Sequence, residues 1–290
     1  MTVSLFCVLQ LLLFFSSHFT VSLSHCDHTI QNINSDKGNY TYCVYHSVEE
    51  VLNVLVPALK QQPPLPEVMQ VYHKDPMVMK AVMPIYNRKP FIVIEGVQGT
   101  KKTLLAKRLA LEINGTYIRN PPVVMEKLYH YLDDHCSQVS SAFMALGNYI
   151  VAEQAKKLLL THPVVLDKYW HGVTAFNLAK AAQDLGIEIP QPSSLVYYWP
   201  EDLLMPDLAF YIMVSDEVLK FRFHKMFKKV YPKDFRNNIH KALMRMTSPK
   251  MWRVNGNLKR VEVENQIAMR VYRMFSKMLF PELQLKRLTA

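Results

Sequence analysis

The stretch Phe91-Ile-Val-Ile-Glu-Gly-Val-Gln-Gly-Thr-Lys-Lys-Thr103 decides the fold. Its first residues are almost all apolar and predict a buried strand, and the Gly- and Lys-rich turn after them is typical of a phosphate-binding loop, or P-loop. The P-loop pattern is G-x-x-x-x-G-K-[ST]. Gly96, Lys102 and Thr103 match its first glycine, its lysine and its hydroxyl residue, whereas Lys101 stands at the second glycine.

The mismatch at Lys101 bears on what the loop does. An intact loop surrounds phosphate with backbone N–H groups, its lysine reaches the β- and γ-phosphates, and its hydroxyl holds Mg²⁺. A positive φ at Lys101 costs a non-glycine residue about 1–2 kcal/mol. Gly99 and Thr100 offer another way to relax the turn, and two adjacent lysines favour an anion. We therefore expect phosphate binding rather than efficient transfer, with a solvated helix start at Lys101-Lys102 as the alternative.

Length and composition limit the class of protein. With 290 residues and 50% hydrophobic content, the chain has enough apolar residues for one large α/β domain plus an extension, which excludes a wholly disordered chain. No apolar run reaches the roughly 18–20 residues of a membrane-spanning helix, so no stable span is predicted.

The N-terminus predicts secretion. Residues 4–15 have the length of a signal-peptide apolar core, and Ser22-Leu23-Ser24 offers a cleavage site, so residues 1–24 are interpreted as a signal peptide. Mitochondrial or cytosolic residence is the alternative. In a secreted chain, Cys26 and Cys43 are candidates for a disulfide, with three reduced thiols as the other reading. Asn39 and Asn114 would then be glycosylation candidates, because each begins an N-x-T triplet.

The rest of the chain divides into an extension and a larger domain. Residues 25–87 are predicted as an N-terminal extension, whose amphipathic helix opens at the capping-box sequence Ser47-Val-Glu-Glu50. From residue 88 to residue 290, short apolar strands alternate with helical patterns. This alternation predicts an α/β fold of three layers, with a parallel sheet covered by helices on both faces and ligands at the carboxyl ends of its strands.

Three further segments carry a family resemblance: Ala145-Leu-Gly-Asn-Tyr-Ile-Val-Ala152, Asp167-Lys-Tyr-Trp-His171 and Tyr198-Trp-Pro-Glu-Asp-Leu-Leu-Met-Pro-Asp-Leu208. With the loop, they resemble the thymidylate kinase family of P-loop nucleoside monophosphate kinases, and most of all its mitochondrial UMP/CMP kinase branch. The resemblance covers roughly residues 88–280. It implies an enzyme that uses ATP and Mg²⁺ to phosphorylate a pyrimidine nucleoside monophosphate, and it implies a homodimer.

The resemblance also assigns roles to residues. Lys102, Asp167 and Lys168 would be catalytic, and Thr103 and Asp167 would hold the metal, although Asp167 also reads as a simple turn cap. The residues expected to bind nucleotide are Gly96, Gln98, Gly99, Thr100, Lys101, Lys102 and Thr103. Four departures from the family pattern, at Gln98, at Lys101, at Lys168 and at the pair Ser140-Ser141, predict weak or lost activity. Lys168 replaces an arginine and cannot form a bidentate fork with phosphate.

The net charge of +10 is concentrated in one segment. Residues 219–260 hold 13 Lys and Arg against the single acid Asp234. The resemblance places a basic lid here, and its candidate cations are Lys225, Lys228, Lys229 and Arg236. A solvated helical face is the other reading of this charge.

Three functions remain open from sequence. The first is a thymidylate kinase-like protein with weak or lost transfer of phosphate from ATP to dTMP, UMP or CMP. The second is a secreted pseudokinase that binds a nucleotide or another phosphate-bearing ligand as an interaction module. The third is a basic extracellular protein that binds polyanions through residues 219–260.

Overall fold

The structure, a computed structural model, describes residues 42–59, 88–123, 125, 137–226 and 231–279. The signal peptide, Cys26 and Asn39 lie outside the described residues. Within the described part of the chain, no helix is both long enough and apolar enough to cross a membrane.

Helices and strands alternate along the chain, as the sequence pattern predicts. The strands are β1 (Phe91–Glu95), β2 (Thr116–Arg119), β3 (Val164–Asp167), β4 (Leu208–Met213) and β5 (Met251–Asn255). The helices are α1 (Val48–Leu59), α2 (Lys102–Glu112), α3 (Ser137–Leu158), α4 (Trp170–Leu185), α5 (Asp216–Met226), α6 (Lys233–Arg245) and α7 (Arg260–Leu279).

The five strands form one parallel sheet in the order β2-β3-β1-β4-β5. Strand β1 is central, and all five of its residues are buried. Its register pairs Ile94 with Asp167 of β3 and Glu95 with Tyr211 of β4. The carboxyl ends of β1 and β3 therefore lie side by side, and the P-loop follows directly from the central strand.

Two apolar clusters cover the two faces of this sheet, so the predicted three-layer fold is confirmed. One cluster joins α2 and α7 to the sheet through residues such as Leu109, Phe210 and Val271. The other joins α1, α3, α4 and α6 to the opposite face and contains residues such as Phe91 and Phe143. Burial of this kind stabilises a fold by about 25 cal/mol per Å² of apolar surface.

The N-terminal helix packs into the second cluster rather than standing apart. Helix α1 lies against α3, and Val51 and Leu55 have no exposed surface. Asp202 reinforces this contact, because its two carboxylate oxygens accept from the backbone N–H of Val48 at 2.8 Å and from the hydroxyl of Tyr149 at 2.9 Å. The amphipathic helix predicted for the extension is thus present.

Candidate functional site

The P-loop bends around Lys101, which has φ 67° and ψ 20° and immediately precedes α2. This is the left-handed conformation that the P-loop pattern gives to glycine, and here a lysine adopts it. The strain expected at a non-glycine residue is about 1–2 kcal/mol. The loop keeps its turn despite the substitution, and the N-terminus of α2 offers its first N–H groups to an anion.

Thr103 and Asp167 meet beside the loop. The Thr103 hydroxyl donates to Oδ2 of Asp167, which joins the start of α2 to the end of β3. Asp167 is 6% exposed, and its Oδ1 atom has no hydrogen-bond partner among the described residues. A hydroxyl beside a carboxylate with a spare oxygen suits Mg²⁺, which takes few protein ligands and keeps water and phosphate oxygens. The described residues hold no cluster of three or more His, Cys, Asp or Glu side chains with metal-site geometry.

Lys168 follows Asp167 and also has a left-handed backbone, with φ 67°. Its backbone N–H donates to the carbonyl of Ile94 at 3.1 Å, and its ammonium lies 5.7 Å from the centroid of the Phe176 ring. Burial, helped by repulsion from Lys102, lowers the pKa of Lys168 to about 8. This lowering of the pKa reduces the positive charge on Lys168 in mildly alkaline solution.

Glu95 is a site residue that sequence reasoning missed. Its side chain is fully buried at the end of β1, and Oε1 accepts from the backbone N–H groups of Tyr169 at 2.8 Å and Gly172 at 3.0 Å. Burial raises the pKa of Glu95 to about 7. One signal was available: an acid ends an otherwise apolar strand immediately before the loop.

An open cleft of about 220 Å³ lies beside the loop and is lined by Lys102 and Lys168. Its floor is the loop and the start of α4, and its walls come from α5, α6 and the residues just before α6. The lining residues are Gly96, Val97, Gln98, Lys102, Lys168, Gly172, Phe176, Phe223, Tyr231, Arg236, Ile239 and Leu243. The cleft thus combines two lysines with aromatic and aliphatic walls, as a phosphate-bearing ligand with a planar group requires.

The remaining loop residues serve its shape. Gly99 has φ 86°, and a methyl group at this position would lie 2.7 Å from Cε2 of Phe223. Thr100 is buried, and its hydroxyl donates to the carbonyl of Val97 at 2.9 Å. Gln98 is exposed at the mouth of the cleft.

The lid candidates separate in the structure. Lys225 belongs to α5, while Lys228 and Lys229 lie outside the described residues. Arg236 lines the cleft but is buried and paired with Asp216 at 2.8 Å. Its guanidinium is therefore committed to holding α6 against the start of α5.

Arg222, which is not among the predicted lid cations, contacts the loop instead. It donates to the carbonyl of Gly99 at 3.2 Å and to the carbonyl of Gly256 at 2.8 Å. Since Phe223 also packs on Gly99, the helix α5 lies directly over the P-loop.

The described part of the basic segment does not form one face. Arg222, Arg236 and Arg245 are engaged with carbonyl or carboxylate groups of the protein. The exposed described cations lie on several elements: Lys220, Lys233, Lys241, Lys250, Arg253, Lys259 and Arg260.

The other predicted site residues are peripheral to the cleft. Ser141 is buried in α3. Asn114 is exposed in the turn between α2 and β2, with φ 50°. Trp170 and His171 are buried among the rings of one aromatic cluster that includes Trp199, so they contribute to packing.

Comparison with known proteins gives a local sequence match. Over 126 residues, 43% of this chain, the sequence is 30% identical to human UMP-CMP kinase 2, mitochondrial. The chain covers only 28% of that relative's length. No protein-family model matches. The match agrees with the resemblance seen in the motifs.

Solved structures show distant likeness. A thymidylate kinase from Candida albicans is 16% identical, with a TM-score of 0.47 over 65% of this chain and 92% of that chain. A deoxyadenosine kinase from M. mycoides with bound dATP is 14% identical, with a TM-score of 0.46 over 63% of this chain and 98% of that chain.

Proposed function

We propose that this protein binds ATP at the P-loop and a pyrimidine nucleoside monophosphate in the adjoining cleft, and that it transfers phosphate slowly. The observation that supports this most is the left-handed Lys101, because it preserves the loop that the sequence mismatch had put in doubt. The Thr103–Asp167 bond beside the loop and Lys102 in the lining of the cleft also support it.

Each residue would have a distinct task. The first N–H groups of α2 would hold phosphate oxygens, and the Lys102 ammonium would offset their charge. Lys168 would bind the phosphate of the acceptor nucleotide, because it lines the same cleft. Phe176 and Tyr231 would shield the site from water and pack on the base.

Mg²⁺ would be held by Thr103 and Asp167 together with phosphate oxygens, and it would supply neutralisation of phosphate charge. The spare Oδ1 atom of Asp167 fits this assignment. The oxygen donors of both residues are of the type that Mg²⁺ prefers.

Two features argue for slow transfer. Arg236 is paired with Asp216, so this lid candidate would have to leave a carboxylate before it contacts a transferring phosphate. Lys168 is a point charge without the forked geometry of arginine. Each missing transition-state contact worth about 1.4 kcal/mol slows the reaction about tenfold.

The direct test is an assay of purified protein with ATP, Mg²⁺ and each of UMP, CMP and dTMP. We expect slow formation of a nucleoside diphosphate, and we expect Lys102→Ala to abolish it. Lys107→Ala is a matched control, because that lysine lies on the same helix and outside the cleft lining. Absence of product together with a nucleotide-dependent rise in melting temperature would instead support the second function, a pseudokinase that binds nucleotide. Absence of both product and thermal shift would exclude nucleotide chemistry.

Polyanion binding stays a second candidate function, supported by the exposed cations between Lys220 and Arg260. Its affinity for heparin would fall steeply with salt, and charge reversal at Lys241 and Arg253 would weaken it. Because these cations lie on separate elements, we rank this function below the first. The homodimer implied by the resemblance also stays a prediction, and light scattering of the purified protein tests it.

Localisation is proposed as the secretory pathway, with mitochondria as the alternative. The relative named above is described as mitochondrial, which favours the alternative. Glycosylation distinguishes the two compartments, because Asn114 is exposed and begins an N-x-T triplet. A mass decrease on treatment with a glycosidase, lost in Asn114→Gln combined with Asn39→Gln, would establish secretion. Unglycosylated protein in a mitochondrial fraction would reject it.

A further inference from the structure

Glu95 lies where three parts of the candidate site meet. It ends β1, and the next residue, Gly96, begins the P-loop. Its side chain has no exposed surface. A fully buried acid must gain enough from its contacts to offset its desolvation, so those contacts indicate what it is for.

The contacts of Glu95 hold the start of α4. Oε1 accepts from the N–H groups of Tyr169 and Gly172, which are among the N–H groups that a helix cannot satisfy within itself. Tyr169, the residue before the helix, makes no capping hydrogen bond with its side chain. An acid on a neighbouring strand therefore performs the capping.

The bonds also fix Lys168. This residue stands directly before Tyr169 and carries the left-handed φ of 67°. Its own N–H bonds to Ile94, the neighbour of Glu95. The Glu95 side chain thus holds the residues that follow the bend at Lys168. The backbone of the same strand, β1, holds the bend itself.

Gly172 shows how closely the acid approaches the helix. A methyl group at this position would lie 2.3 Å from Oε2 of Glu95, far inside contact distance. Oε2 has no hydrogen-bond partner among the described residues. Because Oε2 is buried without a hydrogen bond, we conclude that the two bonds of Oε1 to α4 determine where the carboxyl group lies.

We infer that Glu95 is a positioning residue, which caps α4 from the end of β1 and thereby holds Lys168 in the cleft as the cation for the acceptor phosphate. This inference rests on the proposed function for the role of Lys168, while the capping itself rests on the geometry alone. Glu95 acts through Lys168 and does not itself line the cleft.

A double-mutant cycle tests the link to the ligand. UMP affinity is measured calorimetrically for the wild type, Glu95→Ala, Lys168→Met and the double variant. Each single substitution should weaken UMP binding about tenfold. The double variant should bind UMP no more weakly than the weaker of the two single variants, because the effects of substitutions at coupled residues do not add. Glu95→Gln should bind nearly as the wild type does, since its amide oxygen still accepts. Glu153→Ala is the control, because Glu153 pairs with Lys156 on α3.

Additive losses, which would reach about 100-fold in the double variant, would overturn the inference. A Glu95→Gln variant that binds UMP as weakly as Glu95→Ala would also overturn the inference. That result would show that UMP binding requires the charge of the carboxylate and not the cap.

Amide hydrogen exchange tests the cap without any nucleotide. In Glu95→Ala, the amides of Tyr169 and Gly172 should exchange at least about tenfold faster relative to the amide of Leu178 in the same helix. In Glu95→Gln the protection should persist. Unchanged protection in Glu95→Ala would overturn the inference. If the wild type fails to bind UMP, the proposed function fails, and this second measurement alone decides the role of Glu95.

Discussion

Arg236 donates two hydrogen bonds to one oxygen of Asp216, from Nη2 at 2.8 Å and from Nε at 3.3 Å. Its third donor, Nη1, bonds to the carbonyl of Tyr231. The pair joins the first turn of α6 to the first turn of α5. Arg236, which the sequence predicts as a lid cation, therefore holds α6 against α5.

The first prediction concerns the stability that this pair supplies. Arg236→Ala should lower the free energy of unfolding by about 2 kcal/mol, because it leaves a half-buried carboxylate and a carbonyl without their donor. Lys180→Ala is the control. Its partner Asp184 lies 3.2 Å away on an exposed surface, and such pairs contribute at most about 1 kcal/mol. Urea denaturation measures both. Equal losses for the two variants would show that Arg236 does not anchor α6.

The second prediction isolates the strain at Lys101. Lys101→Gly and Lys101→Ala both remove the charge, but only glycine adopts the left-handed conformation freely. The glycine variant should be more stable than the alanine variant by about 1 kcal/mol. Lys107 in the middle of α2 supplies the reverse comparison, because there glycine should be less stable than alanine by about 1 kcal/mol. The same order at both positions would show that Lys101 is not strained.

Local pattern was enough to predict the sheet. The strands at Phe91 and Leu208 are apolar runs of the expected length, and alternation with helices requires them to be parallel. The turn at Lys101 was also predictable, because the motif assigns that position to glycine.

Contacts between distant residues were not predictable in the same way. Helix α4 begins at Trp170, because the acceptor that caps it is Glu95, which lies 74 residues before Tyr169 in the chain. Arg222 and Arg236 look alike in sequence. Only the fold places the first on the loop carbonyl of Gly99 and the second on Asp216.

The third prediction is a pH dependence due to Glu95. Its pKa is raised from 4.5 to about 7 by burial, so the folded state binds a proton that the unfolded state has released between these values. The contribution of Glu95 to the free energy of unfolding is fully present below pH 4.5 and is lost as the pH rises through 7. Its size is on the order of 3 kcal/mol.

Glu95→Gln isolates this contribution, because the amide does not titrate. The free energy of unfolding of the wild type minus that of the variant should fall between pH 5 and pH 7. The comparison is needed because His171, whose pKa burial lowers to about 4, acts in the opposite direction in the wild type. A difference that stays constant with pH would show that Glu95 remains ionised in the folded protein.

The fourth prediction concerns the place of α1 in the domain. Leu55 has no exposed surface and belongs to the same apolar cluster as Phe91 and Phe143, whereas Leu111 on α2 is 82% exposed. Leu55→Ala should therefore lower the free energy of unfolding by about 2–5 kcal/mol, and Leu111→Ala should change it by no more than about 0.5 kcal/mol. A single cooperative transition in the Leu55→Ala variant would show that α1 unfolds together with the sheet. A small early transition, followed by a main transition at the wild-type midpoint, would instead assign α1 to a separate extension, as the sequence predicts for residues 25–87.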